Sequence, residues 1–282
     1  MSFCYLYPII ICIPNMVKVV IPIYKTALNK YEEYSLCQCF SILGGKYPII
    51  FIKPESLDIS PLYEKYAGCF EVECFEDKYF ESVKSYNQLM LSSEFYERFL
   101  DVKYILIYQT DALVFRDELE KWCGREYDYI GAPWIPKVKY LKGFGRMIWL
   151  LRLGISHISF TSGHAIQREY KVGNGGLSLR NTRNFHEVTK RMVDLVTYYK
   201  ENCDKISFNE DIFWGVEVNK HGAGLRIPSY KEALRFSIEM YPESSYILGG
   251  EQLPFGTHAW SKAPYDRFWK HFIDFDKLND EA

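Results

Sequence analysis

At 282 residues the chain can bury a substantial core, as one large α/β domain or two small ones, and it is read here as one. Its 34 basic and 36 acidic side chains leave a net charge of −2, which gives no basis for a nucleic-acid partner, and 48% apolar with 25% charged residues is the composition of an ordinary soluble protein. The eight cysteines, at positions 4, 12, 37, 39, 69, 74, 123 and 203, lack Cys-x-x-Cys spacing for zinc, so reduced thiols and a cytoplasmic setting are expected. The 23 Tyr and 19 Phe are a heavy aromatic load, most of it assigned to the core, although rings in a cleft also suit sugars and nucleobases.

In chain order, residues 1–15 form an apolar extension. It has no basic leading region and no small-residue cleavage site, and it is too short to cross a bilayer. Met16 stands directly before the first strand pattern, Val17 to Tyr24, and is a candidate true start. Asn29 can cap a helix running to about Leu43, where Gly44-Gly45 ends it. A second strand spans Tyr47 to Ile52 and is closed by Pro54, a short helix follows from Pro61 to Tyr66, and a third strand runs from Cys69 to Phe75. Ser85 to Phe99 reads as one long helix, after which Tyr104 to Tyr108 is an apolar strand leading into Gln109-Thr110-Asp111. This alternation implies right-handed crossovers and a mostly parallel sheet. Pro22 to Thr26 stands where a dinucleotide-binding strand would carry Gly-x-Gly-x-x-Gly, which argues against a nicotinamide dehydrogenase.

In the second half, Tyr127 to Ile130 leads into Gly131-Ala132-Pro133-Trp134. Residues 135–167 contain no Asp or Glu, yet carry Lys137, Lys139, Lys142, Arg146 and Arg152 around the apolar Met147 to Leu151. Such an insertion, over about 135–170, suits either an anionic membrane surface offering a lipid-linked acceptor or a lid whose cations face a diphosphate. Three short segments follow: Gly173-Asn174-Gly175-Gly176 before Leu177 to Arg180, Asn209-Glu210-Asp211 before Ile212-Phe213-Trp214, and Pro254 to Trp260 around His258. A tail begins at 266.

Each segment supports a chemical and a structural reading. Asp111 ends a buried strand, where α/β sheets collect ligands, or it caps a turn. Asp111 and His258 are a ligand pair for Mn²⁺ or Mg²⁺, or His258 is a neutral imidazole hydrogen-bonded among aromatics. Asp211 is a general base for an attacking hydroxyl, or Glu210 and Asp211 are acids in the first turn of a helix. Gly173 to Gly176 let backbone approach a ligand, or they form a hairpin or bulge.

The ordered set Gln109-Thr110-Asp111, Gly173-Asn174-Gly175-Gly176, Asn209-Glu210-Asp211 and His258 resembles the layout of GT-A type glycosyltransferases over about Val17 to Trp260. Within that superfamily it looks like a bacterial family of glycosyltransferases carrying Gln-Thr-Asp in place of Asp-x-Asp. The resemblance implies a single α/β domain over 16–265 with a nucleotide-binding layer in its N-terminal half. It also implies transfer from a nucleotide-diphosphate sugar, UDP-linked by default, to a glycan, protein or lipid-linked acceptor. Asp111 and His258 would hold the metal, with one negative charge fewer because Gln109 replaces an acid. Asp211 would be the base, giving inversion, with Glu210 in reserve. Pro22, Tyr24, Lys25, Tyr86, Asn87, Gln109, Thr110 and Asp111 would meet the nucleotide, and Trp134, Gly173, Asn174, Gly175, Gly176 and Trp214 the sugar or acceptor. A non-catalytic sugar- or nucleotide-binding module and a sugar-phosphate nucleotidyltransferase are the alternatives. The latter lacks its glycine- and arginine-rich loop after the first strand, and a metal-dependent hydrolase would need more His and Asp.

Overall fold

The computed structural model describes residues 16–275 apart from 67, 142–143, 149–150 and 152–167. The extension 1–15, the tail beyond 275 and much of the basic insertion therefore lie outside the described residues. In chain order the strands are β1 (Val17–Pro22), β2 (Ile49–Pro54), β3 (Glu71–Phe75), β4 (Tyr104–Tyr108), β5 (Ala112–Val114), β6 (Tyr129–Ile130), β7 (Leu177–Asn181), β8 (Ser237–Ile238) and β9 (Gly256–His258). A six-stranded sheet has the order β3-β2-β1-β4-β7-β6. Its β1, β2, β3 and β4 pair in parallel, while β7 runs antiparallel to both β4 and β6. Helices flank this sheet, in the mixed α/β architecture expected from the sequence.

Period-two alternation decides which face each strand residue serves. Val17, Val19 and Ile21 of β1 join one core with Leu36 and Leu43, whereas Val20 joins a second core with Leu89 and Phe95 on the other face. Burial on both faces explains why β1, β2 and β4 read as nearly continuous apolar runs. Tyrosines do enter the core: Tyr96, Tyr104, Tyr108 and Tyr129 are fully buried. The described cysteines, Cys37, Cys39, Cys69, Cys74, Cys123 and Cys203, carry free thiols. No helix among the described residues is long and apolar enough to cross a membrane.

The helix expected from Asn29 forms as α1 (Lys30–Cys39) and continues as a wider turn over Phe40–Gly44. The Asn29 side chain accepts from the backbone of Tyr31 and Glu32, and Glu32 reaches back to the Asn29 N–H at 2.8 Å, a complete capping box. A short helix α2 (Ser60–Tyr66) then precedes β3. The single helix expected over Ser85 to Phe99 is instead two, α3 (Val83–Met90) and α4 (Ser93–Glu97). Ser92 is the reason: its hydroxyl accepts from Phe95 N–H and donates to the Leu89 carbonyl, so it caps the second helix rather than extending the first.

A second sheet of three short strands, in the order β5-β9-β8, lies beyond β4. Its register sets Ala112 opposite His258 and Ile238 opposite Thr257. Asp111, just before β5, and Glu239, just after β8, are thereby brought to the His258 end of β9.

Replacing Asn29 with Ala removes the cap of α1 and its reciprocal bond to Glu32. Urea unfolding should show a loss of about 1 kcal/mol, and Asn29→Asp should recover most of it.

Candidate active site

In the main sheet the chain moves outward from β1 to β2 and β3, then returns to place β4 on the other side of β1. That reversal puts the switch point between β1 and β4, and ligands of open α/β sheets bind outside the carboxyl ends of strands at such a point. A cleft of 660 Å³ opens there, lined among others by Pro22, Tyr24, Tyr86, Gln109, Thr110 and Asp111. These six were expected at the nucleotide, and the fold brings them together. Tyr24 is 54% exposed, leaving a ring face available to a base. The buried Tyr86 hydroxyl has no hydrogen-bond partner among the described residues.

Two expected nucleotide contacts are placed differently. Lys25 pairs with Glu32 at 2.8 Å beside the capping box. Asn87 is buried behind the cleft, where its side-chain oxygen accepts from Glu210 N–H at 3.1 Å and so ties α3 to the Asn209–Asp211 turn.

Asp111 and His258 meet at the cleft mouth. His258 Nε2 lies 2.9 Å from Asp111 Oδ1 and 3.1 Å from Gln109 Oε1, while its Nδ1 faces Glu239 Oε1 at 3.3 Å, close enough for charge attraction but without hydrogen-bond geometry. Lys262 Nζ sits 2.7 Å from Asp111 Oδ2. Burial opposes ionisation of Asp111, but His258 and Lys262 outweigh it and hold the carboxyl well below the usual range. Burial likewise opposes a charged His258, and Asp111, then Glu239, draw the imidazole up to about 9.

Asp111 and Gln109 set two oxygens beside the His258 nitrogen, donor types that Mn²⁺ accepts. Glu239 places its carboxylate against the opposite ring nitrogen of His258. Among the described residues no three His, Cys, Asp or Glu side chains converge as a metal cluster. Asp111 and, once it has lost its proton, His258 are the residues that would hold a divalent ion here, with Gln109 as a neutral amide beside them.

The glycine loop packs against this site. β7 runs antiparallel to β4, so the loop before it arrives beside Gln109, whose N–H donates to the Gly176 carbonyl at 2.9 Å. A Cβ on Gly176 would fall 2.2 Å from His258 Nε2, and one on Gly175 would fall 2.1 Å from Glu210 Oε1. Both close approaches require glycine. The Asn174 side chain accepts from Gly176 N–H at 3.0 Å and fixes the turn, and the Trp134 ring lies against Gly173.

Glu210 and Asp211 have different surroundings. Glu210 is buried and pairs with the fully buried Arg180 at 3.0 Å, so the expectation of Glu210 as a reserve base is corrected: its charge holds β7 to the turn. Burial raises its carboxyl above the ordinary range and Arg180 pulls it back. Asp211 keeps part of its surface open, and its carboxyl is raised to about 8 by burial first, then by Glu210 and Glu239, against smaller opposing effects of the Ile212 N–H, which donates to it at 2.7 Å, and of Arg168. Trp214, expected at the substrate, is also corrected. It is fully buried, stacked on Phe185 at 3.9 Å, with its indole N–H donating to the Met90 carbonyl. Of the basic insertion, the described Phe144, Met147 and Leu151 are exposed.

Sequence reasoning missed Glu239, Lys262 and Arg180. Glu239 follows Phe236-Ser237-Ile238 as Asp111 follows β4, so the same signal of an apolar run ending in an acid was present, though the strand is too short to show periodicity. Lys262 carries no local signal, and Arg180 reads as an ordinary strand residue until its partner is known.

An unfolded Asp titrates near 3.9, so folding favours the proton on Asp211, and that stability is present below about 4 and lost as pH rises through about 8. Asp211→Asn removes the loss. Its melting temperature should exceed that of the parent at pH 8 to 9 and approach it at pH 4. Glu210→Ala leaves a buried guanidinium unpaired and should cost about 3–5 kcal/mol in urea unfolding.

Similar solved structures include core-mannan synthase A (CmsA/Ktr4) from Aspergillus fumigatus in its Mn/GDP form, at 11% identity and a TM-score of 0.43 over 77% of this chain and 73% of that one. Another is the mannosyltransferase Ktr4p from S. cerevisiae in complex with GDP, at 10% identity and a TM-score of 0.42 over 78% of this chain and 68% of that one. Comparison with curated proteins gives no match. A family profile matches residues 69–258, spanning β3, the glycine loop, the Asn209–Asp211 turn and His258, and the chain belongs to that family, described as a protein of unknown function (DUF5672).

Proposed function

We propose that the protein is a glycosyltransferase that moves a sugar from a nucleotide-diphosphate donor, UDP-linked by default, to a hydroxyl acceptor with inversion. The observation that carries this reading is Asp111 in the lining of the cleft at the β1/β4 switch point, paired with His258, which in turn faces Glu239. Glu239 joins the two halves: it faces His258 at 3.3 Å, and its charge helps raise the Asp211 carboxyl.

In this mechanism Tyr24 and Tyr86 receive the nucleoside end of the donor, while Gln109, Asp111 and Lys262 receive the diphosphate. Lys262 is the one cation among the described residues lining the cleft, and it offers an ammonium to a leaving diphosphate. A divalent ion bound at Asp111 and His258 would neutralise charge developing on that diphosphate. Asp211 takes the proton of the acceptor hydroxyl as the hydroxyl oxygen bonds to the anomeric carbon. The electron pair of the breaking carbon–oxygen bond leaves with the diphosphate. A carboxylate raised to about 8 is a stronger base than an ordinary one once ionised, so turnover should climb with pH toward 8.

Thermal unfolding with a panel of nucleotide diphosphates and their sugars, with Mn²⁺ or EDTA, tests the donor site. A ligand at about 100 times its dissociation constant adds roughly 2.7 kcal/mol, so one nucleotide class should raise the midpoint by several degrees in the presence of metal. Asp111→Ala and His258→Ala should abolish the metal-dependent part. Asp211→Asn should retain nucleotide stabilisation and lose on the order of 10²–10⁴-fold in turnover. A folded protein that no nucleotide stabilises would overturn the reading in favour of a module without a nucleotide donor.

A further inference from the structure

A second cleft, of 940 Å³, opens beside the first. Chain connectivity places it there: Tyr241 in its wall follows Glu239 by two residues, and Tyr265 donates its backbone N–H to the carbonyl of Lys262 at 2.8 Å. The wall is aromatic and basic. The rings of Tyr241 and Tyr265 meet edge to face at 6.2 Å, Phe268 lies beyond them, and Lys137, Lys139 and Arg267 face the same space against the single carboxylate of Glu243.

What distinguishes these cations is that all three line one cavity. Among the described residues, Lys137, Lys139 and Arg267 pair with no carboxylate: Lys137 lies over the Tyr241 ring at 5.5 Å and Lys139 over Tyr140 at 5.0 Å. In a chain of net charge −2, three unpaired cations around one cavity form a local positive field. Tyr241 is held at φ 47° and ψ 60°, a left-handed conformation uncommon for a residue with a side chain. Its carbonyl accepts from Ser245 N–H at 3.0 Å, which anchors it there. Strain of this kind clusters at ligand clamps.

We propose that this cleft is the acceptor subsite and that it selects a negatively charged sugar, one bearing carboxylate or phosphate groups. The proposal rests on the glycosyltransferase reading, since the second substrate of such an enzyme must arrive beside Glu239 and Asp211 from outside the nucleotide cleft. The aromatic wall of Tyr241, Tyr265 and Phe268 gives the apolar side of a pyranose a surface to pack on, and Lys137, Lys139 and Arg267 receive the anionic substituents. A concave aromatic wall fits a sugar chain better than a flat bilayer.

Calorimetric titration of the full chain with tetragalacturonate, with glucose 6-phosphate and with neutral maltotetraose tests this and separates the carboxylate and phosphate sources. Binding of at least one anionic sugar is expected, with maltotetraose at least roughly tenfold weaker and affinity falling as salt rises. The double variant Lys137→Glu with Arg267→Glu should lose roughly tenfold or more for the anionic sugar, while Tyr265→Ala should weaken it independently of salt. Both variants should keep the nucleotide-induced rise in melting temperature, which shows that the fold and first cleft are intact. Equal affinity for maltotetraose, no binding of either anionic sugar, or an unchanged affinity in the double variant would overturn the proposal. So would binding only to phosphatidylglycerol vesicles, which would assign the cations to a membrane surface. Anionic-sugar binding lost in the double variant, in a protein that no nucleotide stabilises, would keep the cleft and overturn the transferase reading instead.

Discussion

The pairing of Arg180 with Glu210 is the contact on which the arrangement of the candidate site depends. Every guanidinium nitrogen of Arg180 is engaged: Nε donates to Ser178 Oγ, Nη1 to the Tyr96 hydroxyl, and Nη2 to Glu210. The pair joins β7 of the central sheet to the turn that carries Asp211, and Gly175 passes so close that no side chain fits between. Two charges taken out of water are costly to bury and are stabilising only with such complete hydrogen bonding. What the pair contributes is position. It fixes the glycine loop, His258 beside it and Asp211 after it as one rigid unit.

That rigidity has an electrostatic consequence. The same carboxylate that anchors the turn adds to burial in disfavouring a charge on Asp211, its neighbour in sequence, and Glu239 acts in the same direction. The candidate base is thus strained electrostatically by the groups that hold it, as expected where stability gives way to function. Asp111 experiences the reverse, with His258 and Lys262 favouring its ionised form. Two carboxylates in one site are driven in opposite directions, the usual mark of separate chemical roles.

Much of the central sheet was legible because buried parallel strands leave continuous apolar runs, and β1, β2 and β4 fall close to where those runs lie. The cap at Asn29 was legible for a local reason, and the break at Ser92 was missed because a serine inside an apolar periodic pattern has two local uses. Asp111 could be found because it ends a long strand. Glu239 could not, since a two-residue strand has no measurable period, and Lys262 reaches Asp111 only through tertiary structure. The residues misassigned from sequence, Glu210 and Trp214, share one cause. Type and spacing give no indication of burial, and both are covered by the core that positions their neighbours.

The small sheet that unites Asp111, Glu239 and His258 rests on very few ladder positions, with Ala112 opposite His258 as the pair that matters. Because side chains alternate across a strand, sliding β9 by one residue would turn the imidazole to the opposite face and offer Thr257 or Ala259 in its place. The counting constraint therefore falls on β9 itself: a residue inserted within Gly256–His258 would dismantle the site while leaving the main sheet folded.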